Sequence, residues 1–282
     1  MTEITLATIC MNSTPRKDDN VAKAFALLNK AVDAGADWVL LPETFLFYGP
    51  YSELYDNAET DNGEVVQRLA QFARDKKIVL FAGSLGEKPT AETKNARGER
   101  RVYNTSYVFG RDGHILAKYR KTHLFNLISD SGNPLYCESD GNIPGNELKT
   151  LDIDGFRVGL SICYDLRFAE LYLTMAKEKP LDVILVPSAF TLQTGMDHWE
   201  ILLRARAIEH QCYVFAANQT GNHYAEKHSY GHSMVIDPWG YKIADTGNVP
   251  GIAVGTMTRD RLSQVRAKVP ALRNKRSELY KL

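Results

Sequence analysis

Arg157-Val-Gly-Leu-Ser-Ile-Cys163-Tyr-Asp-Leu-Arg-Phe-Ala-Glu-Leu171 is the stretch on which the reading of this chain turns. Its first half, 156–162, is apolar and compact enough for a buried strand. Beyond it, Phe168, Leu171, Tyr172 and Met175 recur at helical spacing, which predicts a helix over 167–178. Cys163 therefore stands where a strand gives way to a helix. Such a junction presents a side chain at the edge of a sheet, and nearby helix N–H groups favour a thiolate and any oxyanion formed on a substrate. The alternative for the same residue is a packed thiol, since free cysteines are among the most buried residues. The flanking sequence has to decide between the two.

Downstream, the pattern predicts a strand at 183–186, a helix at 197–210 and a strand at 213–217. A hairpin pair at 233–236 and 241–244 follows around Asp237-Pro-Trp-Gly240, then a last strand at 252–256 and a polar tail. Upstream, the same order occurs once before. A strand at 4–9 precedes a helix announced by the capping residues Asp18-Asp19-Asn20, carried by Val21, Phe25, Leu28 and Val32, and stopped at Gly35. A short strand at 38–41, a helix at 63–76 and a strand at 78–82 come next. After a polar loop at 88–100, two β-rich runs at 101–109 and 114–119 are joined by Asp112-Gly113, a strong hairpin signal. The segment 121–148 is irregular, and loops of that length inside compact domains are often functional.

Alternation of strand and helix followed by a hairpin, seen twice, is satisfied by two mixed sheets packed face to face with helices outside. The expected fold is thus α/β, a four-layer α-β-β-α sandwich. A single doubly wound sheet is the alternative, but the hairpins fit it less well. No linker rich in Pro, Gly or Ser divides the chain, so 1–282 reads as a single domain.

Composition narrows the function classes. The chain has 282 residues, 44% hydrophobic and 24% charged, ordinary for a soluble globular protein. Lys+Arg and Asp+Glu both number 34, and no block of like charge stands out, which argues against nucleic acid or an anionic membrane as the partner. No apolar run approaches the roughly 20 residues of a membrane helix, and the first ten residues do not read as a secretory signal. The four cysteines are scattered without a C-x-x-C pair. That suits a reducing, cytoplasmic setting better than a disulfide or zinc framework.

Three chemically useful residues share one topological feature. Glu43 lies just beyond strand 38–41, Lys121 just beyond the run ending at Tyr119, and Cys163 just beyond strand 156–162. Sites in α/β sheets collect at the carboxyl ends of strands. A carboxylate to take the thiol proton, a thiol to attack a carbonyl and an ammonium to hold the oxyanion make a coherent set. Singly, each has a plainer explanation: a helix cap for Glu43, a solvated charge for Lys121.

Leu41-Pro42-Glu43, Tyr119-Arg120-Lys121-Thr122-His123-Leu124 and Ile162-Cys163-Tyr164-Asp165-Leu166-Arg167-Phe168 closely resemble the three signature blocks of the nitrilase superfamily of carbon–nitrogen hydrolases, in the family's order. Similarity continues through Pro187-Ser-Ala-Phe190, His198-Trp-Glu200, 204–209 and 231–240, so it spans nearly the whole chain. The resemblance implies the α-β-β-α sandwich and a Glu-Lys-Cys set carried by Glu43, Lys121 and Cys163. It implies a second glutamate, placed at Glu138 by the Cys-Glu-Ser segment before the Pro-Gly turn, although 126–134 departs from the pattern of close members. It also implies the backbone N–H of Tyr164 as an oxyanion donor. The reaction implied is hydrolysis of a small amide to acid plus ammonia through a thioester, with water as co-substrate and no metal or organic cofactor. Family members assemble as dimers or larger homo-oligomers.

Other residues have weaker claims. His123 is a candidate for the pocket wall, while His198 and His210 fall in a helical stretch and read as packing or capping. Arg204 and Arg206 read as structural partners of Glu200 and Glu209, Cys212 as core. Two branches compete for the substrate: one hydrolyses deaminated glutathione, the other is the ω-amidase branch acting on α-ketoglutaramate and succinamate. The uninterrupted Ser229-Tyr-Gly-His-Ser233 looks more like the first. A substrate carboxylate needs a cation or N–H donors, for which Arg167 and Thr194 are candidates; Arg167 reads equally as a structural ion-pair residue. An N-carbamoyl hydrolase, or a non-catalytic binding partner that keeps the pocket, are the remaining readings.

Overall fold

The computed structural model describes residues 3–279. Two sheets carry the molecule. The first runs, in spatial order, Gly251–Thr258, Glu3–Cys10, Trp38–Leu40, Val79–Phe81, Val102–Phe109 and Leu85–Glu87, with Ile115–Arg120 and Asn142–Ile143 also paired to Val102–Phe109. The second runs Thr150–Ile153, Phe156–Leu160, Val183–Ser188, Tyr213–Asn218, Met234–Ile236 and Lys242–Asp245. In each, three parallel strands form the centre and antiparallel strands flank them. The order of elements seen twice in the sequence is therefore seen twice in space.

Side-chain alternation along these strands separates the layers. Leu6, Trp38, Leu40, Val79 and Phe81 of the first sheet meet Phe156, Val158, Val183, Leu185 and Phe215 of the second in one inter-sheet core. Ile9, Val39 and Leu80 point the other way, onto the helices Lys17–Asp33 and Glu64–Lys76. Ile184, Val186 and Val214 do the same for Ala169–Met175 and Glu200–His210. Both faces of the central strands are thus covered, which is why 183–186 and 213–217 read as unbroken apolar runs. Thr8, on the inner face, uses its hydroxyl to bond the Ala216 carbonyl of the opposite sheet at 2.6 Å. The result is an α-β-β-α sandwich. Among the described residues no helix is long and apolar enough to cross a membrane.

Several local expectations change. The helix predicted over 167–178 starts as a 3₁₀ turn, Cys163–Arg167, breaks at the extended Phe168 and continues only over Ala169–Met175. Apolar spacing reports the face that packs, not the backbone of the turn that feeds it. The helix predicted from 197 is α-helical over Glu200–His210 and is entered through a π-helical turn, Gly195–Trp199. The irregular 121–148 segment holds a hairpin, Asn126–Ile128 with Pro134–Cys137, and a 3₁₀ turn, Glu138–Asp140. The polar tail forms a helix, Arg259–Lys268, capped by the Thr258 side chain, which accepts from the Arg261 N–H at 3.1 Å.

Candidate active site

Each of the three strand ends is fixed by its own backbone neighbours. Beyond Trp38–Leu40, the chain passes so close to Gly83 that a Cβ there would sit 2.0 Å from the Pro42 carbonyl oxygen and 2.5 Å from that of Leu41. Gly83 also has φ +51°, so only glycine allows this approach. The Glu43 carbonyl then accepts from Gln219 Nε2 at 2.9 Å, which ties it to the second sheet. Lys121 follows Ile115–Arg120, its N–H donating to Asn104 O and its carbonyl accepting from Gly145 N–H at 2.7 Å. Cys163 follows Phe156–Leu160 with φ +49°, a left-handed conformation costing a non-glycine residue on the order of 1–3 kcal/mol.

The Cys163 turn is held by Asp165, which is fully buried. Its carboxylate accepts from Ile162 N–H at 2.9 Å, Tyr119 OH at 2.7 Å, Thr122 Oγ1 at 3.0 Å and His123 N–H at 3.0 Å. Arg206 secures the far end through Leu166 O, while pairing with Glu209 at 2.8 Å. Arg204 pairs with Glu200 at 3.6 Å.

These anchors deliver a compact charged cluster. Lys121 Nζ donates to Glu43 Oε1 at 2.9 Å and to Glu138 Oε1 and Oε2 at 2.9 and 2.8 Å. Lys121, Glu43 and Glu138 are only 2%, 3% and 5% exposed, so three charges are satisfied almost entirely by one another and by the protein. Glu43 Oε2 accepts from Ala189 N–H at 2.8 Å, and Glu138 Oε2 from Phe125 N–H at 2.7 Å. Asn104, which the sequence reading missed, bridges the carboxylates: its Nδ2 lies 2.8 Å from Glu43 Oε1 and 3.3 Å from Glu138 Oε1. Its Oδ1 is buried without a hydrogen-bond partner among the described residues.

The half-buried Cys163 lies within hydrogen-bonding reach of the Glu43 carboxylate and the Ala189 N–H. Burial pushes its thiol well above the ordinary range, the Glu43 charge adds to this, and Lys121 opposes both without cancelling them. The net direction is toward the neutral thiol, although N–H groups at a strand-to-helix junction favour a thiolate. Burial by itself would lower the Lys121 ammonium; the charges of Glu138 and Glu43 outweigh it and hold the group well above the usual lysine value. Burial raises Glu138, with Lys121 opposing.

A cavity of about 570 Å³ opens above the cluster, lined by Glu43, Lys121, Glu138, Cys163 and Asn104 at its floor. Phe47, Tyr48, Tyr51, Phe125 and Tyr136 form its walls, and Leu192, Met196 and Lys227 stand near the rim. The structure thus brings Glu43, Lys121, Glu138 and Cys163 together. Three candidates lie elsewhere. His123 pairs with Asp165 through Nδ1 at 2.7 Å and stacks on Phe168 at 3.8 Å, outside the cavity lining. Thr194 spends its hydroxyl on Thr191 Oγ1 at 2.7 Å. Arg167 lies over the Phe190 ring, 5.1 Å from its centroid, with Nη1 3.4 Å from His198 Nδ1. It makes no ion pair among the described residues, because the 3₁₀ turn carries it toward the aromatic rings instead of the cavity. Tyr164 packs its ring against Phe125 and Phe168 and does not line the cavity.

A thiol, an adjacent carboxylate, a fixed ammonium and a second carboxylate at the floor of one pocket are the equipment of a thiol-dependent hydrolase. The chain belongs to the carbon–nitrogen hydrolase family, whose model matches residues 5–267. It is 40% identical over 271 residues to the deaminated glutathione amidase of Synechocystis sp., covering 95% of this chain and 97% of the relative. It is 39% identical over 282 residues to the omega-amidase NIT2 of Homo sapiens, covering 99% and 98%. Among solved structures, the C. elegans NitFhit protein superimposes with a TM-score of 0.89 at 36% identity; the match covers 99% of this chain and 66% of that longer one. The sandwich is the nitrilase fold.

Proposed function

We propose that this protein is a thiol amidase that hydrolyses a small carboxylate-bearing amide, deaminated glutathione, through a thioester on Cys163. The observation that carries the reading is the buried Glu43–Lys121–Glu138 cluster closing on a half-buried thiol. In the proposed reaction Glu43 takes the Cys163 proton as sulfur bonds to the amide carbon. Lys121 and the Tyr164 N–H hold the tetrahedral oxyanion. All three Lys121 contacts go to carboxylate oxygens at rest; protonation of Glu43 weakens one of them and frees an N–H for the oxyanion. Collapse breaks the C–N bond, and Glu43 returns its proton to the leaving amine. Water, deprotonated by Glu43, then attacks the thioester and releases the acid and the thiol. Glu138 fixes Lys121, and the unpartnered Asn104 Oδ1 is an acceptor for a substrate N–H or the attacking water.

The leaving group depends on the amide. A primary amide yields ammonia, whereas deaminated glutathione, whose scissile bond joins the keto acid to cysteinylglycine, yields that dipeptide. The cavity volume falls within the roughly 300–1,000 Å³ typical of small-molecule sites. Support for this substrate over an ω-amide comes from Ser229-Tyr230-Gly231-His232-Ser233, which is uninterrupted and directly follows His228 of the cavity lining; its Tyr230 N–H bonds Phe190 O at 3.0 Å. Extra residues there would displace the segment that carries Lys227. The ω-amidase reading is kept because the human relative is nearly as similar.

Parallel assays decide: keto acid release from deaminated glutathione and from α-ketoglutaramate, and ammonia from succinamate and an N-carbamoyl amino acid. Fastest turnover of deaminated glutathione supports the reading. Preference for another amide reassigns the substrate, and silence on all four favours a non-catalytic binding partner.

We further read 1–282 as one domain, supported by the single core between the sheets. Self-association as a homodimer or larger assembly is supported by exposed Ile201, Ile208 and Tyr241 along the outer face near Glu200–His210. Four unbridged cysteines support a cytoplasmic setting.

A further inference from the structure

The cavity holds a second lysine besides Lys121. Lys227 lines it, yet makes no ion pair among the described residues. Its Nζ donates to Tyr224 Oη at 2.7 Å and lies 4.7 Å from the ring centroids of Tyr136 and Tyr224 and 5.6 Å from that of Tyr51. Rings stabilise an ammonium through their faces but leave its charge unneutralised. An ammonium has three donors, of which the described residues use one. Lys121, by contrast, is saturated by Glu43 and Glu138.

The position of Lys227 is built, not incidental. The turn that presents it contains two successive left-handed non-glycine residues, Ala225 at φ 44° and Glu226 at φ 60°. Such strain persists only where the surroundings over-determine it. Here, the Lys227 N–H bonds Tyr224 O, and the Lys227 carbonyl accepts from His223 N–H, both at 2.9 Å. His223 stacks on Tyr48 at 4.1 Å, and its ring nitrogens lie 2.7 Å from Ser13 O and 2.9 Å from Ser229 Oγ. Tyr51 and Tyr136, joined through their hydroxyls at 2.5 Å, both lie against Lys227 and both feel the Glu138 charge. Lys227 shares the cavity with Glu43 and Glu138 but pairs with neither.

We propose that Lys227, in its cage of Tyr51, Tyr136 and Tyr224, is the seat of the substrate's remote carboxylate. This rests on the amidase reading and names the residue that makes the site select anionic amides, a task the sequence offered to Arg167 and Thr194. A carboxylate arriving there meets a cation already stripped of part of its water, so two charge-assisted hydrogen bonds form at little further desolvation cost. Burial holds the Lys227 ammonium below the ordinary lysine range, and a bound anion would reverse that shift.

The test compares succinamate with its neutral methyl ester as amide substrates of the wild type, Lys227→Met and Lys227→Arg. The expected result is at least a tenfold fall in the succinamate-to-ester ratio of kcat/KM for Lys227→Met, carried by KM, with most of the ratio retained by Lys227→Arg. A ratio unchanged in Lys227→Met overturns the proposal. Footprinting on the wild type decides the matter even if Lys227→Met misfolds: succinate, and not dimethyl succinate, should slow acetylation of Lys227 at least fivefold. Equal protection by both, or none by either, overturns it. If the wild type hydrolyses neither amide, the footprint alone judges Lys227, and the amidase reading stands or falls separately with the four-substrate assay.

Discussion

The Tyr119 hydroxyl donates to the Asp165 carboxylate at 2.7 Å, two residues before Lys121 and two residues after Cys163. The strand that delivers the ammonium and the turn that delivers the thiol are thereby tied at the same distance from their working residues. Tyr119→Phe removes that tie and leaves one acceptor of a buried carboxylate short. We expect a loss of about 1–3 kcal/mol in urea unfolding and a fall in kcat that exceeds any rise in KM. A variant with wild-type kcat would show that the link is only structural.

Glu43→Gln keeps the size of the side chain and removes the proton acceptor. Turnover is expected to drop by about 10²–10⁴-fold, whereas alkylation of Cys163 by iodoacetamide should not slow, because the Glu43 charge that raises the thiol is gone. Because burial and Glu43 hold the wild-type thiol neutral, its alkylation rate should keep rising with pH above 8. A plateau reached near pH 7 would contradict the neutral-thiol picture. Cys163→Ala should abolish turnover with an unchanged melting transition; residual amidase activity there would sink the thioester scheme.

Lys121→Met strands Glu43 and Glu138 as buried carboxylates, each with its charge uncompensated. Breaking a buried ion pair in this way costs about 3–5 kcal/mol. Adding Glu138→Gln should recover part of that stability and none of the activity. A double-mutant cycle in urea measures the coupling; strictly additive losses would mean that Lys121 and Glu138 do not depend on one another.

Acid should loosen the fold through two histidines. Burial lowers His210 and His223 to about 4, whereas the unfolded chain titrates near the ordinary histidine value of about 6.5. Between those values the unfolded state binds more protons, so stability falls as pH drops from about 6.5 to about 4 and levels off below. His210, whose Nε2 has no hydrogen-bond partner among the described residues, is the cleaner test. His210→Phe should flatten the decline of the urea midpoint across this window, and an equal slope in both proteins would exclude the buried imidazole as a cause.

What the sequence revealed and what it hid follow from the range of each signal. Strand ends are local, so Glu43, Lys121 and Cys163 could be picked out by position alone, and the doubled order of elements led to two sheets. Glu138 needed the resemblance, because nothing in 126–137 resembles a strand pair until Asn126 and Cys137 are seen opposite one another. Asn104 is one polar residue in a strand, and only the register of Thr105 on Arg120 brings it against Lys121. Lys227 carries no local signal, because its three tyrosines come from positions 51, 136 and 224. His123 and Arg167 fall outside the cavity lining for a related reason. Proximity to a signature block in sequence does not say which side of a turn a side chain leaves from.

Glu43, Lys121 and Asn104 hang from the first sheet, while Cys163 and Ala189 hang from the second. The Cys163 thiol and the carboxylate proposed as its base therefore hang from opposite sides of the interior seam that Trp38, Phe81, Phe156 and Phe215 fill. Neither half of the sandwich can be reactive by itself, and a sideways slip of one half past the other would misalign thiol and carboxylate before any strand melts. The chemistry then serves as a gauge of how the halves are docked: a cavity opened far from the pocket, by Phe215→Ala for instance, should be felt first as lost turnover.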